Sequence, residues 1–367
     1  MRIRFFGQRN ILGGGVFFSE FLAAAKALSI VGDWIEDIDP DQPDQLSSAV
    51  QTSRSDDLNI WFNAHHGMSV MRGTHVVWSV FENTRPPREY LAYIQQYAKL
   101  IWVPSQWGRD VLVANGLSGN RIDVVPEGVC SRKFHSFVRE PRGSTPAPFR
   151  FLTLGKFEER KGYRQLLDGF QRAFDGDDKV QLFIKSDYFL NHERKRAEME
   201  ALVQSTGLRN VHLLFGALSP ADMLALYGLA DAFVFPSRAE GWGLPLIEAL
   251  ACGVPSIATF HSGQTEYLSF VREDVLKIDH SMEPITDPDF TRIWPSPDGQ
   301  CGEWALPDPA SIAGRMREMI SDYPERARRA FRASELIRER FDWSRSASTA
   351  FRSLIARGLL TSFLKIG

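Results

Sequence analysis

The stretch from Asp231 to Gly253, DAFVFPSRAEGWGLPLIEALACG, constrains the fold of this chain more than any other. The apolar run Ala232 to Pro236 predicts a buried strand that gives out at Ser237. The loop behind it sets Glu240 among the small and flexible residues Ala239, Gly241 and Gly243. A helix is expected from about Leu244: Pro245 falls in a first turn, where a missing N–H costs nothing, and Gly253 is a typical C-terminal stop. Val254 to Thr259 predicts the next strand, so the segment reads as a complete βαβ unit.

Two carboxylates sit in this unit, Glu240 at the strand-to-helix crossover and Glu248 one turn inside the helix. Between them Gly241, Trp242, Gly243 and Leu244 offer backbone N–H groups at a helix N-terminus, where orphan donors and the helix dipole favour an anion. An anion cradle flanked by two carboxylates that accept from hydroxyls suits a sugar diphosphate. The competing reading is a surface loop with incidental acids; the strand, the glycines, the proline and the helix stop weigh against it together.

These residues resemble a known family. EGWGLPLIEALACGVP, with Glu240 and Glu248 at its two acidic positions, is similar to the signature of retaining glycosyltransferases of the GT-B fold, family 4, the glycosyl transferases group 1. The resemblance implies that Glu240 contacts the transferred sugar, that Glu248 holds the nucleotide ribose, and that the intervening amides bind the diphosphate. The family's usual phenylalanine in this loop is Trp242 here.

At 367 residues the chain is long enough for two domains of ordinary size. Its net charge of −2 gives no footprint for nucleic acid. Cys130, Cys252 and Cys301 are far apart and odd in number, so neither a zinc site nor a disulfide framework follows, and a reducing compartment is expected. MRIRFFGQRN lacks the apolar core of a signal peptide and no run approaches a bilayer-spanning length, which makes the expected location cytoplasmic.

Strands are expected at Arg2–Phe6, Leu58–Asn63, Val76–Phe81, Leu100–Val103 and Ile122–Val125, with a helix from Phe17 through Leu28. The stretch Arg139–Pro148, REPRGSTPAP, is the best linker candidate. A second series follows, with strands at Phe149–Leu154, Val180–Lys185, Val211–Phe215, Ala232–Pro236 and Val254–Thr259 and a helix over Gly162–Phe174. The fold class expected is therefore α/β, with two Rossmann-like domains whose parallel sheets face a central cleft and whose binding loops lie at the carboxyl ends of the strands. The domains are placed at 1–143, for the acceptor, and 144–344, for the nucleotide sugar. The resemblance implies that the helix at about 345–367 returns to the first domain.

A second constellation is LGKFEERKGYRQLLDGF, Leu154 to Phe170. A basic loop at a strand's carboxyl end can neutralise a leaving diphosphate, whereas most such charge runs are solvated turns. It resembles the family's Gly-Arg/Lys…Lys-Gly pattern, which gives Lys156 and Lys161 to the phosphates; Arg160 has the alternative of facing solvent. The Gly13–Gly15 triplet reads as a loop after the first strand or as a plain tight turn, and by resemblance Gly14 and Gly15 line the donor side. Many family members carry a histidine at a first-domain strand end; the matching place here holds Phe81 or Glu82, with His65 and His66 one strand earlier. Three readings stay open there: Glu82 acts in the cleft, one of the two histidines reaches in, or neither acts.

Weaker signals complete the set. Ser105, Lys185, Ser186 and Asp187 close strands, Leu218 lies where the family binds the base, and Gly263–Glu266 resembles a small-residue loop near the donor. Asp37-Ile38-Asp39 matches a metal-binding triplet by spacing, but it sits in an acidic, proline-bearing loop and no metal is expected. The basic runs His192–Arg196 and Arg326–Arg332 read mainly as solvated helix faces, with membrane-surface contact as the other option. WSVFENTRPP resembles a subset of the family that builds cell-surface polysaccharide.

The expected function is metal- and cofactor-independent transfer of a sugar, with retention, from a nucleotide diphosphate to a hydroxyl of a saccharide, glycolipid or lipid-linked acceptor, at or near the inner face of the membrane. The alternatives are a non-catalytic nucleotide-sugar-binding module and a nucleotide-sugar epimerase of the same fold.

Overall fold

The computed structural model describes residues 2–10, 13–28, 35–137, 148–186 and 192–361. Most of the expected linker, 139–147, Asp187 and the last residues of the expected terminal helix, 362–367, lie outside the described residues. The chain divides into two units, one of Met1–Cys130, Pro288–Gly302 and Arg340–Gly367, the other of Ser131–Asp287 and Glu303–Glu339.

The first unit alternates strand and helix: β1 (Ile3–Phe6), α1 (Gly13–Ala27), β2 (Ile35–Ile38), α2 (Pro43–Gln51), β3 (Leu58–Phe62), β4 (Thr74–Trp78), α3 (Arg88–Tyr97), β5 (Leu100–Val103), α4 (Gln106–Ala114) and β6 (Ile122–Val124). The strands form one parallel sheet in the order β2-β1-β3-β4-β5-β6. LIWV of β5 is apolar and buried along its whole length, as a strand covered on both faces must be, and IRFF of β1 is buried as well, with the Arg4 guanidinium donating to Glu36 at 2.8 Å.

Three expectations are corrected here. The glycine triplet is not a loop: Gly13 to Gly15 form the first turn of α1, with Gly14 exposed and Gly15 buried so tightly against Asn10 that no Cβ fits. Asp37 is not in a loop either but on the edge strand β2, which short length and charge hid from the pattern; its carboxylate is held by Lys26 at 2.6 Å and by Arg9. The strand expected to run to Phe81 stops at Trp78, so Glu82 lies beyond it, in a bend, half-buried.

The second unit begins β7 (Phe149–Leu154), α5 (Tyr163–Phe174), β8 (Val180–Lys185), α6 (His192–Ser205), β9 (Val211–Leu214), α7 (Pro220–Leu229), β10 (Ala232–Phe235), α8 (Leu244–Ala251), β11 (Ser256–Thr259), α9 (Thr265–Leu268) and β12 (Leu276–Ile278). Its parallel sheet runs β12-β11-β10-β7-β8-β9. The face of α5 carrying Leu166, Leu167, Phe170 and Phe174 packs into a core with Phe149, Phe151 and Ile312. An antiparallel ribbon, β13 (His280–Pro284) with β14 (Glu303–Pro307), leads into α11 (Pro309–Ser321) and α12 (Tyr323–Arg340).

The residues between the ribbon strands, with α10 (Pro288–Ile293), group with the first unit, where Trp294 stands edge-on to Tyr90 with ring centroids 5.5 Å apart. So does α13 (Trp343–Ala356). Trp343 stacks on Phe17 at 5.8 Å, Ser353 Oγ accepts from Trp102 Nε1 at 2.8 Å and itself donates to Asp123, and Arg357 pairs with Asp123.

Candidate functional site

The strand order of the second unit explains why two motifs so far apart in sequence meet. From β7 the chain winds outward through β8 and β9, then returns to place β10 on the other side of β7, so the order reverses between β7 and β10. Ligands in open α/β sheets bind at the carboxyl ends of strands at such a switch point. The loop after β7 carries Lys156 to Gly162; the loop after β10 carries Ser237 to Gly243. Arg238 N donates to the Arg160 carbonyl at 2.7 Å, and Gly162, in the left-handed region at φ 70°, leaves room for the Pro236 carbonyl that any Cβ would strike.

Glu240 is buried at this junction, 5% exposed. Lys161 Nζ lies 2.6 Å from its Oε1 and Arg160 Nη1 lies 2.9 Å from its Oε2, while the Ser237 hydroxyl donates to Oε1. Burial pushes the Glu240 carboxyl up, but Lys161 and Arg160 outweigh it and hold the group down at about 2. Burial pulls the Lys161 ammonium down against the upward pull of Glu240. Arg160 does not face solvent: it is buried, donating to the Ala239 carbonyl at 2.7 Å and to Glu158 Oε2 at 2.8 Å. With both carboxylate oxygens held by cations, Glu240 is a poor nucleophile and a fixed acceptor for a hydroxyl.

Because the folded value of about 2 lies below the ordinary carboxylate value of 4.5, this cluster stabilises the fold fully above about pH 4.5 and loses that contribution as pH falls toward 2. The melting temperature should therefore drop over that window, and calorimetric scans of Glu240→Gln should lack that component of the drop. An identical acid limb in the variant would place the titration elsewhere.

The loop backbone is braced from both sides. The Glu240 amide donates to Ser262 Oγ at 2.8 Å, and Gly263 N donates to the Glu240 carbonyl at 2.9 Å. Arg238, 4% exposed, donates from Nε to the Ala305 carbonyl of β14 at 3.1 Å, pairs with Glu159 at 3.0 Å and with Glu283, and lies over the Trp304 ring.

Gly243 then caps α8 at φ 92°, accepting at its carbonyl from Tyr267 Oη at 3.1 Å, and Trp242 packs edge-on against the same tyrosine. Gly241 and Trp242 are buried and Leu244 half-buried, so the expected amide cradle is an enclosed turn at a helix start. Glu248, half-buried in α8, accepts from Tyr227 Oη at 2.9 Å.

Other expected residues stand apart from this cluster. Lys156 is 41% exposed at its side chain and 3.9 Å from Glu158 Oε1. Lys185 and Ser186 are buried at the end of β8. Leu218 is 38% exposed, just ahead of the Ser219–Asp222 capping box of α7. In the first unit Ser105 caps α4, accepting from Gly108 N at 3.1 Å, and His65 caps a short 3-10 turn, accepting from Gly67 N at 3.1 Å. Local sequence marked neither Arg238 nor Tyr227, whose partners are distant in the chain.

Arg194 and Arg196 of α6 pair with Glu198 and Glu200 of the same helix, and Arg326 of α12 pairs with Glu318, which leaves the basic runs no clean cationic face. Among the described residues no cluster of three or more His, Cys, Asp or Glu could hold a metal ion, and no helix is long and apolar enough to cross a membrane.

The two parallel doubly wound sheets are those of the GT-B fold, and in the second the cations and Glu240 stand at the switch point. The fold matches that of Anabaena HepE in complex with UDP and glucose, with a TM-score of 0.71 and 15% identity over 97% of this chain and 100% of that one. Residues 136–270, a segment that holds the whole Glu240 cluster, match the family described as glycosyl transferases group 1. Mannosylfructose-phosphate synthase of Agrobacterium fabrum is 30% identical over 172 residues, 44% of this chain and 38% of that protein. The serotype-specific mannosyltransferase WbdA of Escherichia coli is 38% identical over 146 residues, 39% of this chain and 17% of that protein. The chain thus spans well under half the length of either relative.

Proposed function

We propose that this protein is a retaining glycosyltransferase that moves a sugar from a nucleotide-diphosphate donor to a hydroxyl of a saccharide, glycolipid or lipid-linked acceptor in polysaccharide or glycoconjugate synthesis. The observation that carries the reading is the pairing of Lys161 with Glu240 at 2.6 Å, three residues ahead of the helix start at Gly243. It sets a cation against a hydroxyl acceptor that itself stands one turn of chain ahead of orphan helix amides.

In this reading Glu248 accepts from the ribose hydroxyls, and the amides of Gly241 to Leu244 with Lys161 and Lys156 receive the diphosphate. Glu240 accepts from a hydroxyl of the sugar. As the bond from the anomeric carbon to the diphosphate oxygen breaks, charge grows on that oxygen, where Lys161 and the α8 N-terminus favour it. The acceptor oxygen forms its bond on the same face, and its proton passes to the departing diphosphate, which gives retention without a protein nucleophile. These cations carry the charge without a metal ion. Acceptor binding is assigned to the first unit, all of it outside the family match, with Glu82 as the residue to test there. The location that goes with the reading is the cytoplasm.

Calorimetric titration with UDP, GDP and ADP tests the donor half. One nucleotide should bind, and Lys161→Ala and Glu248→Ala should each weaken it tenfold or more, since each removes a charge-assisted contact of about 1.5–3 kcal/mol. A folded protein that binds none of the three would overturn the proposal.

A further inference from the structure

Tyr227 is the one side chain of α7 that is fully buried, and its hydroxyl lies 2.9 Å from Glu248 Oε2 and 3.1 Å from the Pro245 carbonyl. Its ring is held edge-on by Phe134 at 6.0 Å and by Phe233 of β10 at 5.9 Å, so the hydroxyl is fixed by the core and not by its own rotamer freedom. A tyrosine with only apolar work to do would be served by phenylalanine; here a buried polar tip is spent on a carboxylate that is itself half-buried one turn inside α8.

We propose that Tyr227 is a positioning residue for nucleotide recognition: by holding one oxygen of Glu248 it sets the carboxylate for the ribose diol, and so makes the site selective for ribonucleotides over deoxyribonucleotides. The inference rests on the donor reading above. A glutamate side chain has three torsions and substantial rotamer entropy to lose, and a hydrogen bond from a rigid donor removes that loss in advance of ligand binding. A hydroxyl-accepting site rejects an analogue lacking the hydroxyl only to the extent that its acceptor is held where the hydroxyl would be, leaving it unpaired when the hydroxyl is missing. Burial first, and Glu248 next, push the phenol well above its ordinary range, which keeps the hydroxyl protonated and donating at any working pH.

The test compares the tightest of UDP, GDP and ADP with its 2′-deoxy counterpart by calorimetry, on the wild type and on Tyr227→Phe. The wild type should prefer the ribonucleotide by roughly tenfold or more, the worth of one charge-assisted hydrogen bond. Tyr227→Phe should lose most of that preference while binding the deoxynucleotide about as well as the wild type does. Glu248→Asp, which withdraws the carboxylate from the Tyr227 hydroxyl and the ribose alike, should show the same loss and checks that the preference runs through Glu248; the Tyr227→Phe titrations are run below its melting temperature, as read by circular dichroism. Equal weakening of both nucleotides in Tyr227→Phe, or an unchanged preference, overturns the positioning role and leaves the donor reading standing. A wild type that binds a nucleotide without any ribose preference overturns the role of Glu248 as well, and a wild type that binds none overturns the donor reading itself.

Discussion

Replacing Lys161 by alanine should lower the turnover number for sugar transfer by about 100- to 1,000-fold, the usual effect of removing one preorganised donor from a developing oxyanion. Nζ of Lys161 is held 2.6 Å from Glu240 in a site where both side chains are about nine-tenths covered, so its field is poorly screened by water. In the proposed transfer the charge on the diphosphate grows as the glycosyl bond breaks, which places the loss mainly in kcat and less in KM. Stability falls too, because among the described residues Glu240 keeps Arg160 and Ser237; breaking a buried pair typically costs about 3–5 kcal/mol, and Arg160 should hold the loss toward the lower end. Lys161→Arg should not restore activity, since a planar fork differs from a compact ammonium in the same enclosure. Lys156, 41% exposed and 3.9 Å from its nearest carboxylate, should cost far less on substitution by alanine. The check is the initial rate of nucleoside diphosphate release at saturating donor. A loss of less than about fivefold in Lys161→Ala would remove this residue from the phosphate-binding role.

The second large effect is expected from a residue with no side chain. A Cβ on Gly263 would stand 2.8 Å from the Glu240 carbonyl oxygen and closer still to the Gly241 carbonyl, both of them backbone atoms that cannot rotate away. Gly263→Ala must therefore push the 240–241 segment outward and stretch the 2.9 Å bond from Gly263 N to Glu240 O. Overpacking of this kind costs about 1–3 kcal/mol in stability, and a displacement near 1 Å at a reacting group costs about 100-fold in rate. The variant should melt a few degrees lower, keep its secondary structure by circular dichroism, and lose nucleotide affinity together with turnover. Full activity in Gly263→Ala would mean that the position of the Glu240 loop does not matter to the reaction.

How much of this was legible beforehand depends on how local the cause was. Phe149–Leu154, Val180–Lys185 and Leu100–Val103 are strands to the residue: LIWV is apolar and buried throughout, and FRFLTL and VQLFIK are rich in β-forming residues, of which Phe149, Phe151, Val180, Leu182 and Ile184 are buried. The βαβ unit around Glu240 was equally readable, since Pro245, Gly243 and Gly253 impose backbone conformations that do not depend on neighbours far away in the chain. The strand β2 was missed because IEDI carries two charges, tolerable only on an edge strand where Arg9 and Lys26 neutralise Asp37. The glycine triplet misled for the opposite reason: glycine favours turns by itself, yet Gly15 is needed inside a helix where Asn10 leaves no space for a side chain. Arg160 looked like one more solvated cation until the fold set it 2.9 Å from Glu240.

The amino-acid sequence by itself determined most of the alternating strands of the two sheets, the two acidic positions of the signature and the basic loop, since propensity, periodicity and glycine or proline geometry act over a few residues. The tertiary structure alone decided which of those groups act on one another. Lys161 and Arg160 reach Glu240 because the sheet reverses its order between β7 and β10, and that reversal is written in no single segment. Arg238 is bound to Glu159 and to the ribbon residues Glu283 and Ala305, and Tyr227 to Glu248, across separations that no local pattern spans. Charge, burial and the low dielectric that gives them force arise only once those distant segments exclude water from one another.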